Sequence, residues 1–90
     1  MRIPIKSFGE SLLSRPAGRE AALALQANML RELGENEPIE LDFDGVLVLT
    51  PSWADEFMSI LKERYGKQLR VLPSENPSVK LTMETIGVTI

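Results

Sequence analysis

An alternation of apolar and acidic residues at positions 39–44 is the clearest pattern in the chain. The apolar residues are Ile39, Leu41 and Phe43, and the acidic ones are Glu40, Asp42 and Asp44. Successive side chains of a β-strand point to opposite faces, so this period of two predicts a strand with one face in the core and the other toward water. We therefore expect a sheet that is covered mainly on one side.

A helix start follows this strand within a few residues. Thr50-Pro51-Ser52 combines capping hydroxyls with a proline suited to a first helical turn, and Asp55 stands three residues after Ser52. This spacing predicts Ser52 as the cap and Asp55 as the second member of a capping pair. An amphipathic helix is expected to continue until Gly66, on apolar residues at helical spacing: Trp53, Phe57, Ile60, Leu61 and Tyr65.

The residues before the central strand predict one short strand and one long helix. Residues 2–6 alternate as a short strand would. Ser14 then opens an Ala-rich stretch from Pro16 to Leu33, which is typical of a helix, and Gly34 is expected to end it in a left-handed conformation.

The residues after the second helix predict a strand and a third helix. Leu69–Leu72 is a strand candidate, and its connection through a helix favours parallel pairing with the central strand. Asn76-Pro77 signals a helix start, although Val79, Leu81 and Met83 also alternate, so that residues 79–90 keep a strand as the alternative. Residues 87–90 would either add a terminal strand or dock on a partner.

Composition narrows the class of protein. The chain has 90 residues, 43% hydrophobic and 26% charged, which predicts a single domain spanning residues 1–90. A net charge of −3 without a basic stripe argues against nucleic acid as a partner. Because we find neither an apolar signal core nor a run of about 20 apolar residues, we expect a cytoplasmic protein that does not enter the membrane.

The residue types available for chemistry are few. The chain contains no cysteine and no histidine, which excludes thiolate and histidine-based catalysis, and its glycines form no phosphate-binding cluster. No catalytic residue and no cofactor are expected. Four carboxylates near the strand-to-helix corner leave a magnesium site as an alternative to simple solvated charges: Asp42, Asp44, Asp55 and Glu56.

Several segments resemble a known domain. Phe8-Gly9 and Leu12–Arg15 precede the Ala-rich helix, Leu41–Val46 precedes Ser52–Phe57, and Asn76 precedes the last helix. In these segments the chain resembles the STAS domain, in particular the bacterial STAS-like domain family of uncharacterised function, from about Phe8 to Ile86. The resemblance implies an α/β fold with a small mixed sheet and helices packed mainly on one face.

The resemblance also implies a regulatory protein-binding module without catalysis of its own. Anti-sigma factor antagonists of the STAS class bind a histidine-kinase-like ATPase through the start of the helix after the central strand, and phosphorylation of a serine there releases the partner. Ser52 is the corresponding candidate, with Trp53, Asp55 and Glu56 as partner contacts. The chain departs from the family pattern because Pro51 stands where the first hydroxyl of Asp-Ser-Ser/Thr-Gly is usually modified.

The sequence leaves alternatives open for the environment of Trp53 and for the function of the chain. Trp53 belongs to the core if its spacing to Phe57 decides its environment, and to an interface if it is exposed. The chain is either a signalling module or a structural subunit of an assembly, including a homo-oligomer. A metal-dependent enzyme that uses Asp42, Asp44 and Asp55 is the third function considered.

Overall fold

The fold consists of short parallel strands that alternate with helices. A computed structural model describes residues 1–89. Its helices are α1 (Arg15–Ala27), α2 (Pro51–Tyr65) and α3 (Pro77–Thr85), and its strands are β1 (Arg2–Pro4), β2 (Ser11–Leu12), β3 (Ile39–Asp42), β4 (Val48–Leu49) and β5 (Leu69–Val71). Short 3₁₀ turns span Ile5–Phe8, Met29–Glu32 and Gly66–Gln68. The predicted α/β class is confirmed.

The strands form two small sheets. β3 lies between β1 and β5, and Leu41 of β3 is aligned with Ile3 on one side and Val71 on the other. β2 pairs with β4 in a separate two-stranded sheet. Every one of these pairs is parallel, as predicted for β3 and β5, and the mixture of strand directions typical of a STAS sheet is not seen in residues 1–89.

The three-stranded sheet is covered on one face. Ile39 and Leu41 are 0% exposed, whereas Glu40 and Asp42 between and after them remain partly exposed. The alternation in the sequence therefore predicted both the strand and its buried face correctly. On the covered side, Trp53 stacks on Phe57 at 4.7 Å between ring centroids, and Phe8 packs against both rings.

Helices α1 and α2 cross in close contact at Gly18. A Cβ atom added to Gly18 would overlap the backbone carbonyl oxygen of Trp53. Only glycine allows the two backbones to approach this closely, and the crossing holds the start of α2 against α1.

Helix α1 is shorter than the sequence predicts. It ends at Ala27 rather than Leu33, and a separate 3₁₀ turn covers Met29–Glu32. Asn28 leaves helical geometry, at φ −113° and ψ −88°, while its backbone N–H and its side-chain amide both donate to the carbonyl oxygen of Ala24, at 3.1 Å and 2.8 Å. The prediction that Gly34 ends the helix is therefore wrong, and Gly34 has no positive φ.

The last helix follows the predicted helical pattern rather than the strand alternative. Asn76 caps α3 by accepting a hydrogen bond from the backbone N–H of Ser78 at 2.8 Å. Gly87, at φ 77°, ends the helix, and the N–H of Val88 returns to the carbonyl oxygen of Met83 at 2.8 Å. No strand forms in residues 86–89, and Ile90 lies outside the described residues.

Candidate functional site

The site predicted from the sequence lies where β2 and β4 pass into helices. Ser14 separates β2 from α1, and Thr50 separates β4 from α2. The backbone N–H of Thr50 donates to the carbonyl oxygen of Leu12 at 3.0 Å, so the ladder between the strands continues to the edge of both helices. The starts of α1 and α2 therefore lie side by side.

Thr50, and not Ser52, is the cap of helix α2. Its Oγ1 accepts a hydrogen bond from the backbone N–H of Trp53 at 3.3 Å, and its backbone is extended at φ −96° and ψ 154°. Pro51 then occupies the first helical position, which places Ser52 inside the first turn. The prediction of Ser52 as the cap is wrong because proline favours the position directly after the capping residue.

Ser52 is consequently an exposed residue without a structural hydrogen bond. Its side chain is exposed and bonds to no other group of residues 1–89. It stands in the first turn of α2, where backbone N–H groups lack helical partners and the helix dipole favours negative charge. A modification of the Ser52 hydroxyl would therefore leave the Thr50 cap in place.

Trp53 lies in the core. Its side chain is 1% exposed and packs against Phe8 and Phe57. The prediction of Trp53 as a partner contact is therefore corrected in favour of the core alternative. The helical spacing between Trp53 and Phe57 was the feature of the sequence that indicated a buried Trp53.

Asp55 and Glu56 are bound by an arginine of the neighbouring helix. The Arg15 guanidinium lies 3.0 Å from Asp55 Oδ2 and 3.2 Å from Glu56 Oε2, and Arg19 approaches Glu56 at 3.9 Å. The hydrogen bonds that Arg15 donates, first to Asp55 and then to Glu56, raise the pKa of Arg15. The first turn of α1 and the second turn of α2 are thus joined by opposite charges, and Arg15 and Asp55 are 40 positions apart, so that no local motif indicated this arrangement.

The carboxylates do not converge on a metal site. Asp42 Oδ2 pairs with Arg2 at 3.0 Å, whereas Asp55 pairs with Arg15. Within residues 1–89, no group of three or more acidic side chains could hold a metal ion. The alternative of a shared magnesium site is not supported, because β3 ends at Asp42, and a turn at Gly45 and strand β4 intervene before α2 begins.

Asp42 instead stabilises the end of β3. Its Oδ1 accepts a hydrogen bond from the backbone N–H of Asp44 at 3.0 Å. That bond, more than the ion pair with Arg2, holds the pKa of Asp42 below its usual range. Asp42 is therefore a charged cap of the strand end and its following turn.

Helix α3 supplies side-chain hydrogen bonds to the free edge of β4. Ser78 Oγ accepts from the backbone N–H of Leu49 at 3.0 Å, and Thr82 Oγ1 donates to the Leu49 carbonyl oxygen at 2.6 Å. Sequence reasoning missed this edge because a strand of two residues shows no periodicity. Just before Leu49, two apolar side chains remain in solvent, Leu47 at 61% and Val48 at 42% exposure.

Comparison with known proteins identifies one family. A family model described as a STAS-like domain of unknown function (DUF4325) matches residues 22–80, from the middle of α1 into α3. No curated protein and no solved structure matches the chain. No helix among residues 1–89 is long and apolar enough to cross a bilayer.

Proposed function

The chain belongs to the STAS-like domain family of unknown function, and from this premise we propose that it is a non-catalytic regulatory module that binds a protein partner. We place its contact surface at the start of α2. The observation that carries the proposal is an exposed serine, Ser52, that is not needed as a cap. We further propose that the module acts in the cytoplasm.

Exposed apolar side chains that shortly precede this serine in the chain support a protein-binding surface. Leu47 and Val48 of the β4 segment are exposed and precede Ser52 by five and four residues. Exposed apolar groups with polar neighbours are typical of contact surfaces between proteins. Asp55 and Glu56 provide the polar margin one turn further along α2.

The charges around Ser52 provide the physical basis of a switch. A phosphate on Ser52 would add about −1.5 to −2 charges to a surface that already contains two carboxylates. Asp55 and Glu56 lie three and four residues after Ser52, on the same side of the helix. A partner that packs on this surface would lose affinity, because the phosphate brings both repulsion and a desolvation penalty. We propose a histidine-kinase-like ATPase or another signalling protein as that partner.

Affinity capture from the host with matched variants tests the proposal. Tagged wild-type protein, Ser52→Glu and Ser59→Glu would be compared, with partners and phosphorylated residues identified by mass spectrometry. Ser59 is an exposed serine of the same helix, two turns away from the site, and serves as the control. We expect a partner that wild type and Ser59→Glu retain and Ser52→Glu loses.

Two outcomes of this experiment would contradict the proposal. Retention of the same partners by Ser52→Glu would contradict the switch, and recovery of the protein alone would contradict the regulatory module. All variants must keep wild-type melting curves, so that loss of binding is not loss of folding.

Self-association is the second candidate function, and it uses the same exposed apolar pair. If Leu47 and Val48 join two copies, the protein would be a structural subunit and its mass would rise with concentration. Light scattering of wild type and of a Leu47→Ser, Val48→Ser double variant distinguishes the two functions. A monomer in both samples excludes the structural subunit.

A further inference from the structure

Side chains bond to some of the outward backbone groups at three of the strand edges. At β1, Pro4 has no N–H and its carbonyl oxygen accepts from Ser7 Oγ at 2.8 Å. At β5, the Arg70 guanidinium donates to the carbonyl oxygen of Leu69 at 2.8 Å. At β4, both backbone groups of Leu49 bond to α3. Such devices prevent an edge from pairing with another chain.

The outer edge of β2 has no such protection. The ladder to β4 uses the carbonyl oxygens of Glu10 and Leu12, which accept from Val48 N and Thr50 N at 3.0 Å each. The backbone groups of Ser11 therefore face away from β4, and within residues 1–89 neither of them has a hydrogen-bond partner. A short open edge remains, and it offers a donor and an acceptor to an added strand.

A groove lies beside this open edge. Its volume is about 420 Å³, and α1 contributes three alanines to its wall, Ala17, Ala21 and Ala24. Phe8 and Leu13 supply larger apolar surface, and the buried Trp53 lies beneath them. Because alanine side chains are short, the wall of α1 leaves room for apolar side chains of another segment.

The charge of the groove indicates the kind of segment. Glu20 of α1 lines the groove, and Glu10 directly precedes β2. Neither carboxylate forms an ion pair within the described residues. An added strand with lysine or arginine would supply the missing positive charge.

We propose that the open edge of β2 and its groove bind an extended basic segment of a partner protein by strand addition. Main-chain hydrogen bonds to Ser11 hold the segment, its apolar side chains enter the groove, and a basic side chain faces Glu20. A second copy of the chain fits less well, because a pair of β2 edges would bring the Glu10 and Glu20 carboxylates of both copies to one interface. This surface does not include Ser52, so the proposal stands or falls independently of the switch.

Titration with model peptides tests the strand addition. The probes are acetyl-Val-Lys-Val-Lys-Val-Lys-amide, its counterpart with glutamate in place of lysine, and a lysine peptide methylated on alternate backbone nitrogens. Amide chemical shifts of ¹⁵N-labelled protein report the position of binding. We expect saturable shifts at Ser11, Leu13 and the wall of α1 with the lysine peptide. Binding should weaken at least tenfold with either of the other two peptides.

Two pairs of variants sharpen the result. Glu20→Lys should reverse the preference between lysine and glutamate peptides, whereas Glu63→Lys, an exposed site on α2, should leave it unchanged. Ala24→Phe should fill the groove and abolish binding, and Ala27→Phe, at the end of the same helix, should not. Equal affinity for all three peptides, shifts confined to other surfaces, or no saturation up to millimolar peptide would overturn the proposal.

Discussion

The hydroxyl of Thr50 lies 2.7 Å from the carbonyl oxygen of Leu13, and through this contact the cap of α2 also holds the chain that leads into α1. The hydroxyl oxygen of Thr50 also accepts a hydrogen bond from the backbone N–H of Trp53, so this one side chain bonds to a helix amide and to a neighbouring carbonyl group. Thr50 therefore connects the start of α2 to the chain that leads into α1.

Replacement of Thr50 should therefore destabilise the protein, whereas replacement of Ser52 should not. We expect Thr50→Ala to lower the free energy of unfolding by about 1–2 kcal/mol, the usual effect of losing a cap. Ser52→Ala should stay within about 0.5 kcal/mol of wild type, as for other surface positions. Thr50→Ser, which keeps the hydroxyl, is the control, and urea denaturation measures all three. A larger loss for Ser52→Ala than for Thr50→Ala would restore Ser52 as the cap.

The contact between α1 and α2 predicts opposite effects for two glycine substitutions. Gly18→Ala introduces a Cβ against the backbone of Trp53 and should destabilise by about 1–3 kcal/mol despite alanine's better helix propensity. Gly66→Ala meets nothing within 4 Å and has helical backbone angles, so it should be neutral or stabilise by up to about 1 kcal/mol. Thermal melts of both variants decide the matter. If both variants melt at the same temperature, the close contact at Gly18 does not constrain the packing of α1 on α2.

Arg15 should limit the effect of a negative charge at Ser52. The Arg15 guanidinium lies between Asp55 and Glu56, where it offsets an added carboxylate on the same turn. We therefore expect Ser52→Glu to lower the melting temperature in an Arg15→Ala background but to leave it unchanged in wild type. In 1 M salt the difference should shrink, because the screening length falls to about 3 Å.

A matched control accompanies this double-variant comparison. Ser59→Glu, measured with and without Arg15→Ala, should show the same change in melting temperature in both backgrounds. If Ser52→Glu behaves in the same way as Ser59→Glu, Arg15 does not interact with the charge at position 52.

The lowered pKa of Asp42 predicts that the protein loses stability in acid. Its folded-state pKa is lowered, chiefly by the hydrogen bond from the Asp44 N–H, so the folded protein releases this proton more readily than the unfolded chain. Its stabilising effect is complete above the unfolded-state pKa of about 3.9 and disappears as the pH falls through the folded-state pKa. Asp42→Asn should therefore melt below wild type at pH 6 and approach it at pH 2.

Asp44→Asn controls for the change in net charge. The Asp44 side chain forms no ion pair within the described residues, and it lies two positions from Asp42. Parallel melting curves for the two variants between pH 2 and pH 6 would contradict the special role of Asp42.

Segments with a periodic pattern were predictable from the sequence. Very short strands, and elements whose ends depend on one residue, were not. The alternation at Ile39–Asp42 and the Asn76-Pro77 start of α3 were interpreted correctly, because each pattern has one physical explanation. The predicted end of α1 was wrong because helix propensity continues past Ala27, whereas the backbone of Asn28 leaves the helical conformation. β2 and β4, with two residues each, are defined by their neighbours and not by their own pattern.

The start of α2 was predicted at the right place, but its capping hydroxyl was assigned to the wrong residue. Two hydroxyls flank Pro51, and only the preference of proline for the first helical position distinguishes Thr50 from Ser52 as the cap. The ion pair between Arg15 and Asp55 joins residues 40 positions apart, and nothing in a single sequence brings them together. This ion pair could not be derived before the two helix starts were known to be neighbours.

The hydrogen bond from the Leu49 amide to Ser78 makes one proton a reporter for a whole helix. In most strands an amide is protected from solvent exchange by the neighbouring strand, but here its acceptor belongs to α3. Whenever α3 detaches, that proton exchanges, even while the β-sheets remain intact. The exchange rate of a single backbone amide therefore measures how often the third helix leaves the rest of the molecule.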